Sequence, residues 1–371
     1  MLKKYITGLG FILLSISIGL NIKFITQHKQ HSPSFIDSDS HRSQLMLMSC
    51  GFLVSRAIQV FAQLKIADHL IQPQKIDADF AAKLNLNQEM LYRLLRMLSG
   101  HGIVYQNKDN TFSLTAIGEY LRSDHPETLC NFLEMEGNAQ RWNSYSKLDE
   151  TLKTGKTSFD LLYNEDYFSN LKKNDQAQDQ FNRGMNDISH NENIIIADFF
   201  KNKSMHSLVD VGGGVGELLR EMKKANAHLQ KAILFDYTPL TVAQKNLLDQ
   251  HSVQFVQGSF FDKNIIPQGK DLYLLKRILH DWSDKQAAQI LTQVADSLSS
   301  HSKLYIIDCI MDDSNNYHIS KDIDFEMMVL FGGKERTREE FSNIITSAGL
   351  TLQKIHNLEN SMLSILEVVK K

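Results

Sequence analysis

The stretch Ser207–Arg220, SLVDVGGGVGELLR, constrains the fold of this chain more than any other. An apolar run carrying one acid, Asp210, meets three glycines at alternate positions, Gly212, Gly214 and Gly216. A helical pattern starts at Glu217, with Leu218 and Leu219 inward. A buried strand, a tight glycine turn and a helix start form the first unit of a doubly wound α/β sheet. Ligands of such sheets sit outside the carboxyl ends of the strands, so this turn is the expected floor of a site. The alternative is a strand–turn–helix whose glycines serve packing alone.

The spacing narrows the ligand. A dinucleotide fingerprint requires G-x-G-x-x-G. Counted from Gly212 and Gly214, the third glycine would fall at 217, where the chain has Glu217. Small residues still admit a ligand close to the backbone. An acid two residues before the first glycine repels a pyrophosphate and suits an ammonium or sulfonium group. The pattern favours S-adenosylmethionine (SAM) over NAD.

A chain of 371 residues predicts two domains, and 42% hydrophobic with 22% charged residues is ordinary globular composition. A net charge of -3 exerts no global pull toward nucleic acid. Cys50, Cys130 and Cys309 lie far apart, without metal-ligand spacing, and an odd number argues against a disulfide framework. No metal cluster is expected.

Lys3 and Lys4 precede an apolar stretch, Tyr5–Ile22. Its length is at the lower edge of a membrane span. A basic start and apolar core also describe a signal peptide, but no A-x-A-like cleavage site follows. The reading is an uncleaved single-span anchor, with a cleaved signal as the alternative. Lysines on both flanks leave the orientation open. A polar linker then runs to residue 43, giving an expected division into 1–43, a helical domain with linker over 44–195, and a ligand-binding domain over 196–371.

A helical block is expected from about Arg42 to Leu70, with Phe52, Ile58, Phe61, Leu64 and Ile66 on its apolar face. Asp77–Leu84 reads as a short helix, and Asn87 as the cap of a third whose stripe is Leu91, Leu94, Leu95 and Leu98. Ile103–Tyr105 and Phe112–Leu114 flank a polar turn and read as a hairpin. Helices followed by such a hairpin make a winged helix. Glu89 beside Arg93 and Arg96, in surroundings that are not basic, favours packing or dimerisation over DNA binding. Residues 115–200 read as mostly helical, with breaks at Gly155 and near Asp175–Gln176.

From Ser207 strand and helix alternate. Strands are expected at 207–211, 232–236, 253–257, 272–276, 304–309, about 351–356 and 362–369, and helices at 284–298 and 337–348. The last two strands are too close for a crossover helix and should form an antiparallel hairpin. Asp236 ends the second strand, placed to accept the ribose hydroxyls of a nucleoside. The third strand ends at Gly258, Ser259 and Phe260, with Phe260 against the expected adenine. Lys276 closes the fourth strand, and His280 follows within DLYLLKRILHDWSD. Histidine is the natural general base near neutral pH. Asp308 closes the neighbouring strand and Glu335 lies in the next loop on the same edge. Either carboxylate could hold the imidazole in one tautomer.

Five motifs in order carry a family resemblance: FLVSRAIQVFAQLKIADHL (52–70), FNRGMNDIS (181–189), LVDVGGGVG (208–216), LLKRILHDWSD (274–284) and GGKERT (332–337). With them the chain resembles the SAM-dependent O-methyltransferases of the caffeate and acetylserotonin type, over about Met46 to Lys370. The resemblance implies a Rossmann-like class I methyltransferase sheet, an N-terminal all-helical winged-helix dimerisation domain, and a homodimer. It implies His280 as catalytic base flanked by Asp308 and Glu335, and SAM contacts from Gly212, Asp236 and Lys276, with Ser189 a further candidate. Met185, Met327, Met328 and Phe331 fall where the family lines its acceptor pocket. Two positions depart from the pattern: Ser259 stands where the family usually has an acid for the adenine amine, and Asp308 where plant members have the longer Glu. The expected reaction is methyl transfer from SAM to a hydroxyl, phenolic by preference, on a small molecule. A SAM-binding protein without catalysis and a winged-helix regulator are the alternatives. SAM is a cytosolic metabolite, so an anchored enzyme is expected to keep its catalytic part in the cytosol.

Overall fold

A computed structural model describes residues 40–371, so the apolar stretch Tyr5–Ile22 lies outside the described residues. The chain forms two compact units, one of residues up to Trp142 with Arg183–Ile188, the other of Asn143–Asn182 with Ser189–Lys371. This partition differs from an expected boundary at 195, because one continuous helix, Asp175–Phe200, gives residues to both units.

In the first unit the expected helical block breaks at Cys50 into His41–Ser49 and Gly51–Gln63. The Asn87 side chain caps Gln88–Gly100 by accepting the Met90 N–H at 3.1 Å. Leu91, Leu95 and Leu98 of its stripe are buried with Phe61, Ile66, Val104 and Phe112. Strands β1 (Gln74–Lys75), β2 (Val104–Gln106) and β3 (Thr111–Leu114) pair antiparallel in the order β1-β3-β2. Two residues of the expected apolar face are exposed: Phe52 at 58% and Leu64 at 44%, with Leu45, Met46, Met48 and Leu53 exposed nearby in sequence. Among the described residues these two helices carry more apolar surface than the unit's core covers. Among the described residues the run His41–Gln63 is long and apolar enough to cross a membrane, by length and composition.

The second unit holds a seven-stranded sheet. Strands β4 (Ser207–Val211), β5 (Lys231–Asp236), β6 (Val253–Gln257), β7 (Leu272–Lys276) and β8 (Lys303–Cys309) are parallel, and β9 (Leu350–Asn357) and β10 (Leu363–Lys370) form the expected antiparallel hairpin. The order is β6-β5-β4-β7-β8-β10-β9, so β10 inserts between β8 and β9.

Both faces are covered, so the central strands are near-continuous hydrophobic runs. Alternation sorts their side chains. Val209, Val211, Ile233, Phe235, Tyr273, Leu275, Leu304 and Ile306 enter one core, and Leu208, Ala232, Leu234, Leu272, Leu274, Tyr305 and Ile307 the other. Each fully buried Leu, Ile or Val contributes about 1.5–3 kcal/mol before conformational entropy is counted. By the same alternation Asp210, Asp236 and Lys276 share the second face at the carboxyl edge, and Ile196, Ala197 and Phe200 of the helix Asp175–Phe200 pack on that face.

Candidate active site

The glycine turn leaves β4 through residues that only glycine accommodates well. Gly212, Gly214 and Gly216 have φ of 76°, 61° and 79°. A Cβ on Gly212 would lie 2.5 Å from Ile278 Cδ1, and one on Gly213 would lie 2.3 Å from Asp210 Oδ2. The backbone therefore runs closely over the Asp210 carboxyl. Asp210 is buried, and among the described residues its Oδ1 has no hydrogen-bond partner. Burial pushes it up to about 7, against the opposing pull of Lys276. An unpartnered buried acid under an open glycine turn fits a small cationic group.

Asp236 is tied at both oxygens. Oδ2 accepts the Gly214 N–H at 2.9 Å and Oδ1 the Thr238 N–H at 2.8 Å. Each carboxylate oxygen keeps a further lone pair, so hydroxyl donors can still be received. Burial raises the group, and these backbone bonds oppose the rise. The hydroxyl of Ser259 accepts the Phe261 N–H at 3.2 Å, which leaves a weaker acceptor than a free carboxylate. Phe260 is buried, its ring edge-on to Phe261 and Trp282.

Lys276 is buried and ion-paired: its Nζ lies 3.1 Å from Glu192 Oε2. Arg277 grips the same carboxylate, Nη2 at 2.6 Å from Oε1 and Nε at 3.2 Å from Oε2. Burial would raise Glu192, but the charges of Arg277 and Lys276 hold it at about 2. Arg277 adopts φ 52°, left-handed for a non-glycine residue, and its N–H donates to the Ile307 carbonyl at 3.0 Å. Such a conformation costs about 1–2 kcal/mol and persists where surrounding contacts enforce it. Ser189 is half-buried on the helix that carries Glu192.

The imidazole of His280 sits on a short 3₁₀ turn, Leu279–Asp281, just past β7. Its Nδ1 lies 2.7 Å from Glu335 Oε1. Of the two candidate acids, Glu335 is the one that orients the ring. Asp308 is fully buried, and among the described residues neither of its carboxyl oxygens has a hydrogen-bond partner. Asp281 adds an acid that motif reading passed over, with Oδ1 at 3.7 Å from His280 Nε2. Burial by itself pushes the imidazole down, but the charges of Glu335 and then Asp281 outweigh it and lift His280 to about 10. Burial lifts Asp308 to about 7 and Asp281 to about 6, both against the imidazolium's pull. The pairing leaves Nε2 as the exchangeable nitrogen of a ring held in one tautomer.

Aromatic rings gather next to this turn. Trp282 stacks on Phe168 at 5.7 Å, and Phe168 meets Phe331 at 5.5 Å and Phe181 at 6.2 Å. Met328 and Phe331 pack on the cluster of Phe159, Tyr167 and Leu171, and Met327 is buried on the same helix, Ile319–Leu330. Met185 is half-buried in the first unit. Among the described residues no group of three or more His, Cys, Asp or Glu is placed to hold a metal ion.

Comparison with known proteins gives the family. An O-methyltransferase domain model matches residues 145–351, more than half of the chain, and an O-methyltransferase dimerisation domain model matches residues 46–124. Phenazine O-methyltransferase PhzM of Lysobacter antibioticus is 27% identical over 317 residues, 84% of this chain and 92% of the relative. An O-methyltransferase from neocarzinostatin biosynthesis, crystallised with SAM and 2-hydroxy-5-methyl naphthoic acid, superposes with a TM-score of 0.72 at 27% identity, covering 86% of this chain and 96% of that one. Human N-acetylserotonin methyltransferase shares the fold, with a TM-score of 0.80 at 20% identity over 90% of this chain and 99% of that one. The chain, with a class I methyltransferase fold and a dimerisation domain, belongs to the SAM-dependent O-methyltransferase family.

Proposed function

We propose that this enzyme methylates a phenolic hydroxyl on an aromatic small molecule, with His280 as the base. The observation that carries the reading is the 2.7 Å contact of His280 Nδ1 with Glu335 Oε1, at the sheet edge that also holds the glycine turn. When bound, SAM supplies an electrophilic methyl on a sulfonium. Asp210 holds the donor's cationic group, Gly212 and Gly214 give the backbone clearance, and Asp236 takes the ribose hydroxyls. Ser259 and Phe260 border the adenine. Lys276 contributes positive charge and Ser189 a hydroxyl from the overlying helix.

The proton balance favours a phenol. An ordinary phenol has a pKa of about 10, and His280 is lifted to about 10. Transfer between the two is then close to thermoneutral once they are in contact. An aliphatic alcohol is several units weaker as an acid and leaves the transfer steeply uphill. Glu335 keeps the proton-bearing Nδ1 turned away, so Nε2 faces the acceptor oxygen. Asp308 and Asp281 stabilise the imidazolium by charge. Holding the oxygen about 3 Å from its target contributes several kcal/mol more. The rings of Trp282, Phe168 and Phe331, with Met327 and Met328, supply a water-poor wall for a flat acceptor. The naphthoic acid in the neocarzinostatin enzyme and the phenazine in the name of the Lysobacter relative are of that class.

Residues 44–195 are read as the dimerisation and linker region, with a winged helix, and 196–371 as the donor-binding domain. The exposed Leu45, Met46, Met48, Phe52 and Leu53 support a homodimer through the two N-terminal helices. Residues 5–22 are read as a membrane anchor with the catalytic part in the cytosol; fractionation with a C-terminal reporter tests this. For the reaction, incubation with methyl-labelled SAM and a panel of phenols, hydroxynaphthoates and aliphatic alcohols is expected to label the phenols. Labelling confined to aliphatic alcohols or amines would overturn it.

A further inference from the structure

Arg336 is fully buried, yet its guanidinium hydrogen-bonds the backbone around His280 rather than an acid of the His280 cluster, and reaches Asp308 by charge alone. Nη1 donates to the Leu279 carbonyl at 2.6 Å, Nη2 to the Trp282 carbonyl at 2.7 Å, and Nε to Asp284 Oδ1 at 2.9 Å. The two carbonyls bracket His280 in the chain. A planar fork with donors in fixed directions can hold two carbonyls at a set separation, which an ammonium cannot. We infer that Arg336 is a positioning residue for methyl transfer, clamping the turn that carries the base.

Three further observations place the clamp and the base in one unit. Glu335, the adjacent residue, holds the imidazole itself, so one dipeptide grips both ring and backbone. Gly333 lies so close that a Cβ there would sit 1.9 Å from the His280 carbonyl oxygen and 2.6 Å from the Trp282 nitrogen. Asp324 Oδ1 accepts the Glu335 N–H at 2.9 Å, tying the same loop to the helix Ile319–Leu330. The loop thus meets the 279–282 turn through backbone contact, a carboxylate and a guanidinium. A base must stay within hydrogen-bond reach of its proton, and a shift of about 1 Å can cost on the order of 10² in rate.

The inference rests on His280 being the base, and a double-mutant cycle separates the two claims. Arg336→Lys keeps a charge for Asp284 but loses the fork. We expect kcat to fall at least tenfold with KM for SAM within twofold of wild type. In the His280→Gln background the same substitution is expected to cost less than twofold, because nothing remains to position. Asp284 is half-exposed at the side chain, so Asp284→Asn tests the clamp without opening the core. It is expected to lower kcat severalfold, and again not on His280→Gln. If Arg336→Lys does not fold, the Asp284→Asn cycle decides. Losses that add to that of His280→Gln, or wild-type kcat in folded Arg336→Lys, overturn the clamp. Wild-type kcat in His280→Gln alone overturns the base instead.

Discussion

Glu335→Gln should move the titration of His280 by a large and calculable amount. The carboxylate and the imidazole are in contact at 2.7 Å, which puts their charge centres roughly 4 Å apart. Two unit charges at that distance interact by about 4 kcal/mol at an effective dielectric of 20, equivalent to about 3 pKa units. Asp281 and Asp308 remain in the variant and burial still opposes the charge, so His280 should fall from about 10 to roughly 7. The amide keeps the shape and can still accept the Nδ1–H. Neutral imidazole is the form that takes a proton, so a raised value places the rising limb of the rate profile on the alkaline side. In the variant that limb moves toward neutrality, and its plateau drops by about tenfold or more because the base is weaker. Histidine labelled at Cε1 with ¹³C, assigned by His280→Gln and titrated by NMR from pH 5 to 10.5, reads the shift without any acceptor. A wild-type His280 that titrates near its ordinary value, or a variant that titrates where wild type does, would refute the charge argument.

Asp210→Asn removes a buried acid lifted to about 7 from an ordinary value near 3.8. A carboxyl raised in the folded state destabilises it progressively as pH climbs from the unfolded value to the folded one. The variant should therefore melt higher than wild type above pH 7, by up to about 4 kcal/mol, with no gain below pH 4; calorimetry should also show SAM affinity down at least tenfold. Glu192→Gln leaves Lys276 and Arg277 buried without their counterion and should cost about 3–5 kcal/mol in chemical denaturation. In wild type the lowered Glu192 supports the fold above its unfolded value, and that support is lost as pH falls toward 2. Phe52→Glu, on the exposed apolar helix face, should shift sedimentation from dimer to monomer while the domain stays folded.

Much of the site was readable because its parts are local in sequence. Gly212, Gly214 and Gly216 announce a turn by composition alone, and all three take positive φ. The strands lie within about one residue of their expected bounds, with Asp236 and Lys276 ending β5 and β7 as expected. The Glu335 partner of His280 was narrowed to two acids by the loops of one sheet edge. What was hidden is non-local or depends on the turn's exact path. Glu192 lies 85 residues before Arg277, and nothing in its helical surroundings marks a counterion for two buried cations. Lys276, expected simply as a donor contact, is therefore already paired. Arg336 and Gly333 read as parts of a motif, but their work is at the backbone of residues 279–282, which no periodicity reports. Phe52 and Leu64 lie on the expected apolar face yet are exposed, because an apolar helix face looks alike in sequence whether or not its own unit covers it.

The central claim is that a donor site over the glycine turn and a base at residue 280 work as one. Its most direct measurement is kcat for His280→Gln beside the calorimetric Kd for SAM of the same preparation. The account predicts a kcat lower by a factor of about 10² or more with the Kd within about twofold of wild type. Wild-type turnover, or donor binding lost together with activity, would contradict it.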